Sequence, residues 1–527
     1  MTTIPFIRPG RKLPIGIQSF EKLRSEGFLY VDKTAFVYQL AQAGNPCFLS
    51  RPRRFGKSLL LSTLEAYFMG KKELFKGLAI EQLETEWKQY PVLHLSLNAE
   101  NYDSPEKLEN LLISQLQEWE KQYAITDINQ SFSIRFMNVI RGAYEKTGLR
   151  VAVLIDEYDK PLLRNFHNPA LQQVFREMLT AFYTVLKDAD PWLQFVLITG
   201  VTKFAQMGIF SNLNQLNDIS FDTTYSSLCG MTREEIETTF EPELHVLASA
   251  NQITYDEMMQ KLTRLYDGYR FTYADNTPPI YNPFSVLNVL IKQHFNYYWF
   301  ASGTPTFLVE MLKQTDFDLR KLDGTEATSS SLSDDRADVN NPIPMVYQSG
   351  YLTIKEYDPE FHMYTLGFPN EEVKYGFLNF VTPFYTSIQE SDTVFYIGKF
   401  IRELRSGDAE AFLTRLRAFF ADIPYELNDK TERHYQVIFY LVFKLMGQFT
   451  QAEVRSAKGR ADAVVKTPDY IYVFEFKLNG SAEEAIKQID EKGYLIPYSA
   501  DERQLIKIGV DFDPEERNLG DWIIEQE

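Results

Sequence analysis

Three clusters of residues in this chain have the types and spacing to do chemistry on phosphates. The first is "SRPRRFGKS", residues 50–58, which puts Arg51, Arg53, Arg54 and Lys57 within seven positions of a chain whose formal net charge is −18. Cations concentrated this way in an acidic protein imply a bound anion. The second is the Asp156-Glu157 pair that follows the apolar run in "VAVLIDEYDK" (151–160). Carboxylates there can hold a hard divalent cation and polarise a water. The third lies far downstream, where Glu475 follows Asp462 by thirteen residues and Lys477 comes two later. Two carboxylates suit Mg²⁺ or Mn²⁺, and a lysine beside them can position a water while neutralising phosphate charge.

The flanking sequence says which elements must carry these groups. "PCFLS" (46–50) reads as a short strand, and after the basic loop Leu60, Leu64, Tyr67 and Phe68 fall on one face of a helix. Gly56-Lys57-Ser58 then sits at a helix start, where unpaired N–H groups and the helix dipole favour an anion and Lys57 adds a mobile cation. A triphosphate suits such a site. The Walker A pattern asks for glycine at position 51, where this chain has Arg51; the plainer alternative is a basic turn. "VAVLI" is a buried strand, and Asp156-Glu157 at its end reads as a Walker B element, with Asp156 on Mg²⁺ beside Ser58 and Glu157 on the attacking water. Its alternative is a strand followed by a polar turn. "WLQFVLITGVTKF" (192–204) is another apolar strand closing on Thr199, a candidate sensor of the γ-phosphate, and "YPVLHLSLNA" (90–99) supplies a further strand. Strands alternating with helices predict an α/β, doubly wound parallel sheet whose ligands lie beyond the carboxyl ends of its strands. Arg53, Arg54, Gly56, Lys57, Ser58, Asp156 and Thr199 are therefore the candidate nucleotide-binding residues, with Glu157 as candidate catalytic group.

Six ordered stretches resemble those of the bacterial and archaeal AAA-ATPase-like proteins that carry a PD-(D/E)XK nuclease-like domain at the C-terminus: "GFLYVDKT" (27–34), "SRPRRFGKSLLLSTL" (50–64), "VLIDEYDKPL" (153–162), "ITGVTKF" (198–204), "LYDGYRF" (265–271) and "YNPFSVL" (281–287). In that family an Arg-rich loop replaces the usual Gly-rich opening. The resemblance implies nucleotide binding by Lys57 and Ser58, with Asp156 and Glu157 serving Mg²⁺ and water. By analogy Arg270 is a sensor or finger for the γ-phosphate; the alternative is a guanidinium stacked among Tyr266, Tyr269 and Phe271. Asp32 and Lys33 read as an ion pair that organises the N-terminal segment.

"YNPFSVLNVLIKQ" reads as a helix entered through Pro283, and "QSGYLTIKEYD" with "MYTLGFPNEEVKYGF" as two strands near helices, a small winged-helix-like region with no basic recognition helix. "GTEATSSSLSDDRADVNN" (324–341) is Ser-rich and acidic and reads as a solvated loop or linker. Further on, "LNDKTERHYQVIFYLVFKLMG" (427–447) reads as an amphipathic helix capped by Asn428 or Asp429. Three strands follow, "FTQAEVRSA", "RADAVVKT" and "DYIYVFEFKLN", with a turn at Lys458-Gly459. Alternation along the third strand puts Glu475 and Lys477 on one face and Phe474 and Phe476 on the other, in the core. Asp462 on the preceding strand can meet Glu475 and Lys477, which is the PD-(D/E)XK spacing. Glu432 is a further candidate metal ligand or base, and Gln488 and Lys492, at i and i+4 on the next helix, can reach the cleft or a DNA backbone. The alternatives are a solvated strand edge, or the fold without activity.

At 527 residues the chain calls for several domains, read here as a P-loop domain over 1–275, a helical, winged-helix-like region over 276–385 and a nuclease-like α/β domain over 386–527. With 44% hydrophobic residues, 31 Tyr and 40 Phe it can fill large cores. Two cysteines and six unclustered histidines exclude a disulfide framework and a thiolate zinc site. No apolar run approaches a membrane span and the first residues carry no secretory pattern, so a cytoplasmic location without membrane contact is expected. The acidic balance argues against coating of nucleic acid but leaves room for a local basic groove. The expected ligands are ATP, Mg²⁺ or Mn²⁺ and DNA or RNA, in an ATPase coupled to a metal-dependent nuclease. The competing classes are an NTP-dependent switch or scaffold with an inert nuclease fold, and a ring of subunits that translocates DNA.

Overall fold

The computed structural model describes residues 11–527 apart from 204–209, 211–212, 214, 275–276, 303–307, 309–310, 313–316, 333–340, 387–389, 424–431, 455–460, 479, 514 and 517; the side chains of 329–330, 390–391, 432–435, 453–454 and 478 are also outside the description. Contacts divide the chain into two compact units, Met1–Thr315 with Asp323–Glu372, and Asp316–Leu322 with Val373–Glu527.

The first unit is built on a five-stranded sheet of β1 (Cys47–Ser50), β2 (Val92–Ser96), β3 (Val151–Asp156), β4 (Leu193–Gly200) and β5 (Asn217–Asp218), in the order β2-β3-β4-β1-β5. Every neighbouring pair is parallel. All six residues of β3 are buried, which is why that strand reads as an unbroken apolar run rather than an alternating one. β4 lies between β1 and β3, with Thr199 beside Leu49 and Ile198 beside Ile155. The ends of all three strands are thereby brought to one edge. Helix α1 (Lys57–Phe68) leaves β1 through Gly56, whose φ of +96° is open to glycine and strained for other residues. Leu60, Leu64, Tyr67 and Phe68 are all buried, as the helical spacing requires.

Two expectations for this unit are corrected. Lys33 pairs with Glu235, at 2.5 Å, and donates to the Ser227 carbonyl. Asp32 instead accepts from the backbone N–H groups of Thr34 and Ala79. A buried ammonium takes the partner that tertiary packing offers. The Ser-rich stretch is not simply a loop either: β6 (Thr325–Thr328) pairs antiparallel with β8 (Met363–Gly367), which also pairs with β7 (Thr353–Asp358). Residues 333–340 of that stretch lie outside the described residues. The helix entered through Pro283 is present over Pro283–Lys292, capped by the Asn282 side chain.

In the second unit, strands β9 (Gln451–Val454), β10 (Ala463–Lys466), β11 (Tyr470–Leu478), β12 (Gln504–Asp513) and β13 (Asn518–Gln526) form a sheet in sequence order. All neighbours are antiparallel except β11 and β12. Helix α3 (Ala482–Glu491) makes the crossover that this parallel pair needs. Helix α2 (Glu432–Met446) packs Phe439 against Phe476 and Phe443 against Phe474, with ring centroids 4.3 and 5.2 Å apart. Phe474 and Phe476 thus face the core as alternation predicts. Asn428, Asp429, Lys458 and Gly459 lie outside the described residues. Among the described residues no helix is long and apolar enough to cross a membrane.

Candidate functional site

At the edge of the parallel sheet, the Asp156 carboxylate receives two hydroxyls. Ser58 Oγ donates to one oxygen at 2.6 Å and Thr199 Oγ1 to the other at 2.8 Å. Strand order explains this: β4 is inserted between β1 and β3, so Thr199 is delivered directly beside Asp156. Lys57 is only 6% exposed and folds back to donate to the carbonyls of Arg51 and Pro52, at 2.9 and 3.1 Å. Burial pulls its ammonium below the ordinary value, opposed by Asp156, Glu157 and Asp159. A cation buried against carbonyls is ready to exchange them for phosphate oxygens.

Glu157 holds a φ of +53°, a left-handed conformation that non-glycine residues adopt at some cost. It sits 3.6 Å from Lys160, whose ammonium donates to the Asn98 carbonyl. These groups line one cavity of about 410 Å³ together with the exposed Arg53 and Arg54, Gly56, Lys57 and Ser58. That volume is in the range of nucleotide-sized ligands. A hydroxyl beside a carboxylate at a helix start is a hard-oxygen donor set, so Ser58 and Asp156 fit Mg²⁺.

One of the four cations that suggested an anion, Arg51, and the analogy-based candidate Arg270 do not line this cavity. Arg51 is 2% exposed, donates to the carbonyls of Ser50, Ser220 and Tyr225, and stacks 4.2 Å over Phe271. It is a structural residue that ties the loop to Ser220, Tyr225 and Phe271. The Arg270 N–H donates to the Thr353 hydroxyl, which donates to the Arg270 carbonyl, and Arg270 lines a separate small cleft. The guanidinium over Phe271 is therefore Arg51's, and the finger reading of Arg270 is not supported by its position.

Motif reading missed Asp159 and the apolar wall. Asp159 is 1% exposed and accepts from the backbone N–H groups of Val201 and Thr202 and from the Thr202 hydroxyl, which ties the end of β3 to that of β4. Ile17, Leu29, Met231, Phe284 and Leu287 add an apolar part to the lining, with the Arg54 guanidinium 5.0 Å over the Phe284 ring. Leu29, Phe284 and Leu287 fall in the stretches 27–34 and 281–287 already singled out, but nothing local assigned them to a cavity, and Ile17 and Met231 lie in none of those stretches. Thr199→Val should destabilise the first unit by about 1–3 kcal/mol, because it leaves a buried Asp156 oxygen without its donor. Denaturant unfolding reads this, and a change within error of zero counts against the geometry.

In the second unit, Asp462 accepts from the Phe476 N–H at 2.9 Å, which draws it against β11. Glu475 and Lys477 share a face, 3.5 Å apart. The Gln488 amide bridges them, donating to Glu475 Oε1 and accepting from Lys477 Nζ. Helix α3 reaches this face because Gly509 is the β12 partner of Glu475: a Cβ there would lie 2.5 Å from the Ala482 carbonyl oxygen. Tyr494, which no motif marked, approaches the Gln488 amide at 3.5 Å. Lys492 is exposed at the helix C-cap and makes no described contact with this cluster. Glu432 begins α2, but its side chain lies outside the described residues.

Glu475 is 3% exposed and, among the described residues, its Oε2 has no hydrogen-bond partner. Burial, then Asp462 alongside, pushes its carboxyl up to about 7, with Lys477 opposing. Burial also raises Asp462. Two neighbouring carboxyls held above their ordinary range, one with an orphaned oxygen, fit a divalent cation. Among the described residues, no group of three or more His, Cys, Asp or Glu converges.

A pH dependence follows for the metal-free protein. Glu475 binds its proton more tightly folded than at the ordinary 4.5, so folding stability falls as pH rises from about 4.5 through about 7. Glu475→Gln removes this loss. Above pH 7.5 the variant should be the more stable by up to roughly 3 kcal/mol. Equal unfolding midpoints at pH 5 and pH 8, relative to wild type, would contradict the assignment.

The "Predicted AAA-ATPase" family model matches residues 14–210, and the PD-(D/E)XK nuclease superfamily model matches residues 430–522. A protein of Azotobacter chroococcum mcd 1, named "Uncharacterized protein in vnfD 5'region", is 34% identical over 528 residues, spanning 98% of this chain and 99% of that protein. The chain belongs to the AAA-ATPase-like proteins that end in a PD-(D/E)XK nuclease superfamily domain.

Proposed function

We propose that this protein is an ATP-binding, Mg²⁺-dependent ATPase whose nucleotide state governs phosphodiester cleavage of nucleic acid by its C-terminal domain. The observation that carries the reading is the bridged cluster Glu475, Gln488 and Lys477 beside Asp462, in the same chain as the Ser58–Asp156–Thr199 cluster. In the first unit Lys57 and the N–H groups at Gly56 hold the β- and γ-phosphates, and Arg53 and Arg54 hold them from the mouth of the cavity. Ser58 and Asp156 take Mg²⁺, which supplies charge neutralisation when bound. Glu157 orients and polarises the attacking water, and Thr199 fixes Asp156. The apolar wall around Ile17 and Leu287 takes the base.

In the second unit Asp462 and Glu475, with Glu432 as a third group, take Mg²⁺ or Mn²⁺. Lys477 orients the attacking water and neutralises the scissile phosphate, and Gln488 positions both Glu475 and Lys477. A cytoplasmic location and self-association belong to this reading. The decisive assay incubates full-length protein with single- and double-stranded DNA and RNA, with Mg²⁺ or Mn²⁺, in ATP, ADP or no nucleotide. Metal-dependent cleavage that changes with nucleotide is expected. Cleavage indifferent to nucleotide removes the coupling, and no cleavage of any substrate removes the nuclease.

The net charge of −18 favours a second reading, in which the C-terminal domain is inert and the protein is a nucleotide-dependent switch or scaffold. Tight nucleotide binding without cleavage, and no metal bound at Asp462, is its signature.

A further inference from the structure

A second cavity of about 30 Å³, which shares no lining residue with the nucleotide cavity, adjoins the basic loop at Ser50, Arg51 and Pro52. Its described lining includes Arg51, Lys203 and Arg270 but no carboxylate. Ser50 and Ser220 add hydroxyls, their oxygens 3.2 Å apart. Arg51 and Lys203 are each 2% exposed. Lys203 is neutralised by Asp218 at 2.8 Å and covers the Phe221 ring at 3.8 Å. Among the described residues Arg51 has no such partner. Its terminal nitrogens donate to neutral carbonyls, its Nε is buried with no described acceptor, and the described carboxylate that acts on it is Asp218, already paired with Lys203.

A buried cation surrounded by neutral groups is costly, and an N–H left without an acceptor adds the penalty of an unmade hydrogen bond. Conversion of Arg51 to its neutral form does not relieve this, since a guanidinium does not deprotonate in proteins. A counter-ion does. The volume holds an occupant of one or two waters' size, which excludes a nucleotide or an organic acid and suits a monatomic anion. Water would satisfy the N–H but leave the charge uncompensated.

We propose that this cavity, walled by Arg51, Lys203 and Arg270, is a binding site for a small monovalent anion of the halide class, which completes the charge balance beside the nucleotide-binding loop. The Arg51 and Pro52 carbonyls hold Lys57. The anion therefore supports the segment that positions the phosphate-binding lysine. The inference is independent of whether the protein hydrolyses ATP or cleaves nucleic acid.

The test uses wild-type full-length protein, so no variant need fold. Crystals soaked in bromide at physiological halide concentration should show an anomalous peak within hydrogen-bonding distance of Arg51 Nε. In solution, the ³⁵Cl resonance of dilute chloride should broaden on adding protein and sharpen again as bromide competes. A cavity holding water alone, or bromide only at surface lysines as an adventitious ion only, overturns the proposal. So does a chloride linewidth that bromide does not change.

Discussion

Lys57→Met is expected to lower ATP affinity by about 3–4 kcal/mol, a factor of several hundred, and to abolish turnover. The wild-type ammonium is already desolvated: it is 6% exposed and its donors rest on two loop carbonyls. Binding of a triphosphate exchanges those neutral acceptors for charged ones without new burial, so most of the electrostatic gain reaches the complex. Methionine keeps the apolar stem and removes the charge. Calorimetric titration with ATP and Mg²⁺ measures the loss, and an affinity within threefold of wild type would sink the assignment of this cavity to a nucleotide. Thermal unfolding of the variant separates loss of binding from loss of fold, because the same ammonium also ties the loop carbonyls together.

Lys477→Ala should reduce metal-dependent cleavage by roughly 10²–10⁴-fold while nucleic-acid binding changes little. The lysine stands 3.5 Å from Glu475 and is oriented by the Gln488 amide, so its charge is delivered where a scissile phosphate would meet the Asp462–Glu475 pair. Asp462→Asn should cost a similar factor, and the double variant should be little worse than either single one, since groups that act as a unit are not additive. Single-turnover cleavage of labelled DNA and RNA provides the comparison. Full activity in Lys477→Ala removes the lysine from the chemistry. Gln488→Ala tests positioning: a weakened response that Gln488→Glu fails to restore is expected, because only an amide both donates to Glu475 and accepts from Lys477.

Read alone, the sequence determined the chemistry-bearing pairs and the strands that end in them. Buried parallel strands must be apolar throughout, so "VAVLI" and "FVLIT" identify themselves, and the groups at their ends stand out as residues that packing does not ask for. Because side chains two apart on a strand share a face, the order of residues in β11 likewise separates Glu475 and Lys477 from Phe474 and Phe476. These signals are local, carried by a period of two or by a run.

Which charges meet is settled by packing across the fold. Arg51 and Lys57 are six residues apart in one basic run, yet one is locked by Ser220, Tyr225 and Phe271 and the other faces the cavity. Lys33 passes over its neighbour Asp32 for Glu235, some two hundred positions away. Asp156 acquires Thr199 because β4 is inserted between β1 and β3, an order that no strand encodes by itself. Glu475 rises to about 7 through burial and the approach of Asp462, which the Phe476 N–H holds against β11. Charge pairing and desolvation act through space, whereas a sequence reports neighbours along the chain; that is why the donor atoms were legible and their partners were not.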